Sequence, residues 1–171
     1  MKFFEWISRV RPVPMSALCF GVALAVHLPA FNAEPVLDDN AAVMDNPLVQ
    51  GDLDLNAIFR SNVFGDRTGY AHIPLSRPLT TLTFWAAPGN SVSVHRLGNM
   101  MVHGMNAAMI VTLGTVMGLS GLPTLCAGLV FAVHPVHVDA VIPLNNRSDL
   151  LCTFFLLLAL TIWWKARSPA A

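Results

Sequence analysis

The sequence predicts an all-α, polytopic membrane protein with about four transmembrane helices, and three observations support this fold class. Hydrophobic residues make up 54% of the chain, charged residues make up only 12%, and the mean hydropathy is +0.57, whereas a soluble globular domain carries about 25% charged residues. Several apolar runs approach the roughly 20 residues that a spanning helix needs. The chain has ten basic and ten acidic residues. Nucleic-acid-binding proteins are typically strongly basic, so this composition argues against that class of protein.

We predict four spans that form a single membrane domain over residues 1–171. They cover residues 13–31, 97–119, 122–142 and 150–164. The fourth apolar run is the shortest, but Ser148 and Asp149 can cap its start, and Lys165 and Arg167 can extend to the headgroups at its end.

The basic residues next to the spans predict that both termini are cytoplasmic. Three precede the first span and two follow the fourth: Lys2, Arg9, Arg11, Lys165 and Arg167. Because cytoplasmic flanks carry an excess of lysine and arginine, residues 32–95 become an acidic external loop, and the protein is placed in the plasma membrane, the inner membrane of a bacterium. The alternative for the first span is a cleaved secretory signal, and cleavage would leave the loop outside.

The external loop is too long for a simple connector and is expected to contain short helices. Residues 52–59 (DLDLNAIF) have the pattern of a short amphipathic helix. Its apolar residues, Leu53, Leu55, Ile58 and Phe59, are expected to lie on the membrane interface.

An acidic pair, Asp38 and Asp39, follows the first span. Adjacent carboxylates can serve as a general base, as a metal ligand or as both. The alternative is a helix cap or a solvated turn. Because the pair lies at the exit of a span, we regard it as the candidate catalytic site.

The second span carries a polar stripe formed by Arg96, Asn99, His103 and Asn106, spaced three, four and three residues apart. This spacing places all four residues on one helix face. Polar side chains at that depth face either a wet site or a neighbouring helix to which they hydrogen-bond. The sequence leaves both interpretations open.

The sequence FAVHPVHVDAV ends the third span, and Pro135 is expected to break the helix there. The break frees backbone groups that lipid cannot satisfy, and it lies among His134, His137 and Asp139. These side chains could line a cavity, cap the helix end or, with His103, hold a divalent cation.

Two arginines lie near predicted span ends, Arg77 in LSRPLTTLTF and Arg147 in LNNRSDLL. A guanidinium at the headgroup level is suited to a bidentate contact with the phosphate of a lipid-linked substrate. The alternative is contact with ordinary lipid phosphates.

Five blocks of sequence, taken in order, carry a family resemblance. They are the DD pair, SRPLTTLTF, the N-x-x-x-H-x-x-N pattern of the second span, FAVHPVHVDAV and NRSDLL. Over nearly the whole chain they resemble the N-terminal part of the membrane-bound O-mannosyltransferases with tetratricopeptide repeats and their bacterial relatives. FAVHPVHVDAV is the most specific block, because the family pattern is close to F-x-x-HP-V-H-x-E-A-V.

The resemblance implies the N-terminal part of a GT-C glycosyltransferase fold, a polyprenyl-phosphate sugar as donor and a hydroxyl, such as that of a protein, as acceptor. Asp38 would be the general base, and Asp39 would position it or bind a metal. Arg77 and Arg147 would stabilise the lipid phosphate leaving group. The remaining expected substrate-binding residues are Asn99, His103, His134 and His137.

The chain departs from the family pattern at four positions, Ser76, Arg96, Asp139 and Asn146, where the family often has an aromatic residue, His, Glu and Gly. It also has far fewer spans than this fold, and it has no repeat array. We therefore expect a fragment or a truncated paralogue, with its C-terminal half missing. The alternative functions are a non-catalytic scaffold or assembly module and a metal-handling membrane protein.

Overall fold

A computed structural model describes residues 12–66, 69–70, 72–119 and 121–167. These residues are helical, with no strand among them, which confirms the predicted all-α class. The basic residues expected to orient the first span, Lys2, Arg9 and Arg11, lie outside the described residues.

Eight α-helices follow one another in the described part of the chain. They are α1 (Pro12–His27), α2 (Pro47–Gln50), α3 (Leu55–Arg60), α4 (Pro78–Trp85), α5 (Val92–Val116), α6 (Gly121–Val133), α7 (Val138–Val141) and α8 (Arg147–Arg167). Short 3-10 helices cover Leu28–Ala30 and Pro135–His137, and a π-helical turn covers Asn40–Met44. We call residues 32–91 the long loop and residues 142–146 the 142–146 turn.

The structure supports a polytopic membrane protein but does not confirm the count of four spans. In the described residues, two helical segments are long and apolar enough to cross a membrane, Pro12–Ala30 and Arg147–Arg167. A third is present if α6 and Pro135–Val141, bent by 45°, count as one span. Helix α5 covers the second predicted span, and its Asn and His side chains lower its mean hydropathy.

Helix α5 is central, because α1, α6 and α8 all pack against it. The contact between α1, α5 and α6 is built from small buried residues, including Cys19 and Ala107. A Cβ added at Gly128 would lie 2.6 Å from Val111 Cγ2 and 2.8 Å from Cys19 Sγ. Small residues therefore let the three helices approach closely, as in other membrane bundles.

The long loop has a hydrophobic core of its own, which includes Val43, Phe64 and Phe84. Leu144, from the 142–146 turn, is part of the same core. The loop is thus anchored to the segment that joins α7 to α8, which brings residues far apart in the sequence to one end of the bundle.

The predicted amphipathic helix of the loop is present as α3, which Asp54 caps by accepting a hydrogen bond from the Ala57 N–H at 2.9 Å. Leu55 and Phe59 are exposed, as an interfacial helix requires. Ile58 is buried, so its predicted place on the membrane interface is wrong. Ile58 instead anchors the helix within the protein.

Candidate active site on the long loop

The predicted acid pair divides into one exposed and one buried carboxylate. Leu37 precedes the pair with a φ of 51° and is 89% exposed, an unusual place for an apolar residue in the left-handed region. Asp38 is exposed, whereas Asp39 is fully buried. The Asp39 carboxylate accepts hydrogen bonds from the backbone N–H of Val36 at 3.1 Å and of Asn145 at 3.0 Å. Asp39 thus joins two segments of the fold, and Asp38 is the carboxylate open to a ligand.

Asn145 connects the acid pair to Arg77. Arg77 is half-buried at the N-cap of α4. Its Nη1 donates to the Asn145 carbonyl at 3.3 Å and to Asn145 Oδ1 at 3.5 Å. Asn145 was not among the predicted site residues, and the signal for it is its place in the Asn-Asn pair between the broken third span and Arg147.

Arg147 is buried at the start of α8 and is held by four neighbours. Its Nε donates to Asn99 Oδ1 at 2.8 Å, its Nη1 to Thr83 Oγ1 at 3.3 Å and its Nη2 to the His95 carbonyl at 2.6 Å. Its Cζ lies 3.9 Å from the centroid of the Phe84 ring. The guanidinium is therefore packed between the long loop and α5.

The polar stripe of α5 donates hydrogen bonds to backbone carbonyls of the broken third span, of the 142–146 turn and of α8. Arg96 donates to Ile142, Asn99 to Val141, Pro143 and Leu144, His103 to Ala132, and Asn106 to Leu150. All four stripe residues are fully buried. Of the two interpretations that the sequence left open, these contacts match hydrogen bonding to a neighbouring helix.

A histidine cluster lies next to the break at Pro135. It consists of His27, His103 and His137. The ring centroids of His27 and His137 lie 5.1 and 5.0 Å from that of His103, and Phe131 stacks on His103 at 5.4 Å. His27 was not among the predicted site residues, although it is the only histidine in the first apolar run. Its Nδ1 bonds to the Ala23 carbonyl at 2.8 Å.

Two nitrogens of this cluster, Nε2 of His27 and Nδ1 of His103, are buried without a hydrogen-bond partner. In the described ranges, no group of three or more His, Cys, Asp or Glu residues could hold a metal ion. His134, His137, Asp139 and His103, which the sequence suggested as ligands of a divalent cation, therefore do not form such a group.

His134 and His137 lie at an open, mainly apolar groove of about 500 Å³ on the bundle surface. His134 is exposed, and its Nδ1 accepts a hydrogen bond from the Val136 N–H at 3.2 Å. Phe131 and Val130 form part of the apolar wall of this groove. The groove therefore combines apolar sides with imidazoles in one place.

His95, ahead of the second predicted span, is neutral. Burial, and after it the charge of the nearby Arg147, lower the pKa of His95 to about 4. Its Nε2 bonds to Asn90 Oδ1 at 3.1 Å, and its ring meets the Phe84 ring edge-on at 5.3 Å between centroids. Arg147 is thus the charged member of this pair at pH 7.

The predicted site residues fall into three groups. Asp38 and Asp39 lie with Arg77 around Asn145; Asn99 pairs with Arg147; and His103 lies with His137 and His134. The first group has an exposed carboxylate next to a buried one that is linked through Asn145 to a guanidinium, and it is the candidate active site.

No family model matches the chain, and no solved structure matches it. Among curated proteins it is 30% identical to Protein O-mannosyl-transferase TMTC4 of Homo sapiens over 93% of this chain and 24% of that protein. It is 32% identical to Protein O-mannosyl-transferase Tmtc1 of Drosophila melanogaster over 81% of this chain and 17% of that protein.

A third relative, Protein O-mannosyl-transferase F38B6.6 of Caenorhabditis elegans, is 28% identical over 88% of this chain and 23% of that protein. The chain thus spans about a quarter or less of the length of these curated relatives. Over the aligned part, these similarities show that the chain is a relative of the TMTC protein O-mannosyl-transferases.

Proposed function

We propose that this chain is the acid-bearing N-terminal part of a membrane glycosyltransferase. The enzyme moves a sugar, mannose by relationship, from a polyprenyl-phosphate donor to a hydroxyl of a protein on the outer face of the membrane. The relatives carry the name protein O-mannosyl-transferase and cover nearly the whole chain. The observation that carries the proposal is the exposed Asp38 beside a buried, hydrogen-bonded Asp39.

In this proposal Asp38 is the general base. It takes the proton of the acceptor hydroxyl as the oxygen bonds to C1 of the sugar, and the electron pair of the breaking C1–O bond goes to the phosphate of the lipid. A guanidinium near that phosphate stabilises the charge that develops on it. Asp39 accepts two backbone N–H bonds, which supports a positioning role for it.

The groove at His134 and His137 supports the donor class. It is mainly apolar, and it has imidazoles in its lining. The hydrocarbon of a polyprenyl chain is apolar along its length, so it is complementary to these walls. From the basic residues Lys165 and Arg167 in the last turn of α8, we propose that this end of α8 is cytoplasmic, that both termini are cytoplasmic and that the long loop faces outward.

One observation favours a second candidate, a non-catalytic membrane scaffold. The guanidinium of Arg147 and the side chains of Asn99 and His103, all expected to bind substrate, hydrogen-bond within the protein. A module that kept these residues for packing alone would need no donor.

The test is glycosyl transfer from a polyprenyl-phosphate mannose to acceptor peptides. The chain is assayed in nanodiscs, alone and expressed with the coding sequence that follows it. We expect transfer that Asp38→Asn abolishes and that Asp52→Asn, a matched change at another exposed acid of the long loop, leaves intact. No transfer in either format would favour the scaffold, and transfer that survives Asp38→Asn would contradict the proposed base.

A further inference from the structure

The arginines around the acid pair differ in how their guanidinium groups are used. Arg96 is fully buried and donates to four carbonyls, those of Ile142, Phe31, Ala33 and Glu34. Arg147 is buried too, and each of its three nitrogens donates to the protein. Both guanidinium groups are therefore occupied by the fold.

Arg77 is different, because in the described part of the chain its hydrogen bonds use Nη1 alone. Both acceptors are neutral oxygens of Asn145. Among the described residues, no carboxylate forms an ion pair with Arg77. No described residue accepts a hydrogen bond from the N–H groups on Nη2 and Nε, so a ligand can take those bonds.

We propose that Asn145 is a positioning residue that holds Arg77 as the anion-binding arginine of the site, and that the anion is the phosphate of the polyprenyl-phosphate donor. This inference rests on the proposed function, since it assigns the place where that donor's phosphate binds. It selects Arg77 over Arg147, which the sequence alone did not distinguish.

Asn145 is well placed for this role because α5 and the core of the long loop hold the 142–146 turn in position. Asn99 Nδ2 donates to the carbonyls of Pro143 and Leu144 at 2.9 and 3.4 Å, and Leu144 is fully buried in the core of the long loop. The Asn145 N–H is bonded to Asp39 at 3.0 Å. One residue therefore fixes the position of Arg77 relative to the acid pair.

The chemistry of Asn145 also suits an anion site. An amide and a backbone carbonyl orient a guanidinium without cancelling its charge, whereas a carboxylate at the same position would form an ion pair with it and compete with the phosphate. Asn145→Asp therefore keeps the shape of the side chain and removes the site's affinity for an anion.

The experiment measures binding of farnesyl phosphate, and of uncharged farnesol, to the full chain in phosphatidylcholine nanodiscs. The ratio of the two dissociation constants is the readout, because a merely structural defect weakens both ligands alike. The variants are Asn145→Asp, Asn145→Ala and Arg77→Gln. The matched control is Asn146→Asp, which adds the same charge at the next residue, where the side chain donates to the Asp139 carbonyl instead.

We expect wild-type protein to prefer farnesyl phosphate. Asn145→Asp and Arg77→Gln should each reduce that preference about tenfold or more, as the loss of a charge-assisted hydrogen bond does. Asn145→Ala should reduce it less, and Asn146→Asp should retain it. Combined with Arg77→Gln, Asn145→Asp should cause no further loss.

The inference is overturned if Asn145→Asp keeps the preference for phosphate, or if Asn146→Asp loses it equally. Binding is measured without turnover, so the two proposals fail separately. A wild-type protein that binds farnesyl phosphate through Asn145 and Arg77 but transfers no sugar contradicts only the proposed function.

Discussion

Individual side chains around the 142–146 turn have several partners each, so small changes there should have large effects. Arg147 donates to three acceptors, and Asp39 and Asn145 each join segments more than 60 residues apart. Buried polar groups that lose a partner cost more than the net value of the bond that they made.

Gly98→Ala should destabilise the protein through Arg147. A Cβ at Gly98 would lie 2.7 Å from Arg147 Nη2, which forces the guanidinium away from the His95 carbonyl and costs on the order of 1–2 kcal/mol. Thermal unfolding in detergent measures the effect. The matched control is Gly21→Ala, where no atom lies within 4 Å of the added Cβ and helix propensity favours alanine. Equal stability of the two variants would contradict the packing described for Arg147.

The pH dependence of stability should carry a contribution from His95. Its folded pKa of about 4 lies below the usual histidine pKa of 6.5, so the unfolded chain binds the proton more readily, and stability is lost as the pH falls from 6.5 towards 4. We expect wild-type stability to fall by on the order of 2 kcal/mol more than that of His95→Gln over this window. Parallel curves for the two proteins would show that His95 does not titrate in this way.

Among the helices, α5 and the broken third span match one another, because α5 supplies hydrogen-bond donors and the segments around the break supply carbonyl acceptors. Pro135 interrupts the helix, His134 is extended there with a ψ of 127°, and the polar stripe of α5 donates to the carbonyls around the break. The stripe and the break therefore stabilise one another, because neither is tolerated alone in lipid.

Asn99→Leu tests this match. It removes the donor to the Val141, Pro143 and Leu144 carbonyls and the acceptor of Arg147 Nε, at an expected cost of about 3 kcal/mol. Hydrogen exchange should speed up in the 142–146 turn and at the start of α8. Met101→Leu, at an exposed position of the same helix, is the control. Unchanged exchange in Asn99→Leu would refute the pairing.

The helices were largely predictable, whereas the partners of their polar residues were not. The break at Pro135 and the helix after Asp54 follow from proline geometry and capping, which are local. The role of Asn145 depends on its contacts with Asp39 and Arg77, which lie 106 and 68 residues away along the chain. Spacing placed Asn99 and His103 on one face but could not tell a wet site from carbonyls of a neighbouring segment. The opposite burial of Asp38 and Asp39 depends on the same distant turn.

For the whole molecule, the long loop and the polar residues that contact it form one end of the described helical bundle, and mainly apolar helices form the rest. Cys126 and Cys152 are exposed on α6 and α8, while Asn56 is exposed on the long loop. In a membrane these surfaces meet lipid and water respectively.

A thiol reagent that does not cross membranes tests this arrangement. In sealed vesicles with the outer face outward, we expect Asn56→Cys to be labelled and the native Cys126 and Cys152 to stay unlabelled, because a thiol in lipid is not ionised. Opening the vesicles should not change the result for the native cysteines. Labelling of Cys126 and Cys152 in intact vesicles would place α6 and α8 in water.

The two carboxylates of the acid pair differ in burial, and comparing Asp38→Asn with Asp39→Asn for both sugar transfer and melting temperature separates their roles. Asp38 is exposed and Asp39 holds the Val36 and Asn145 N–H groups. We predict that Asp38→Asn abolishes transfer and leaves the melting temperature unchanged, whereas Asp39→Asn lowers the melting temperature. A stable Asp39→Asn protein would contradict the structural role of Asp39, and an active Asp38→Asn protein would contradict Asp38 as the general base.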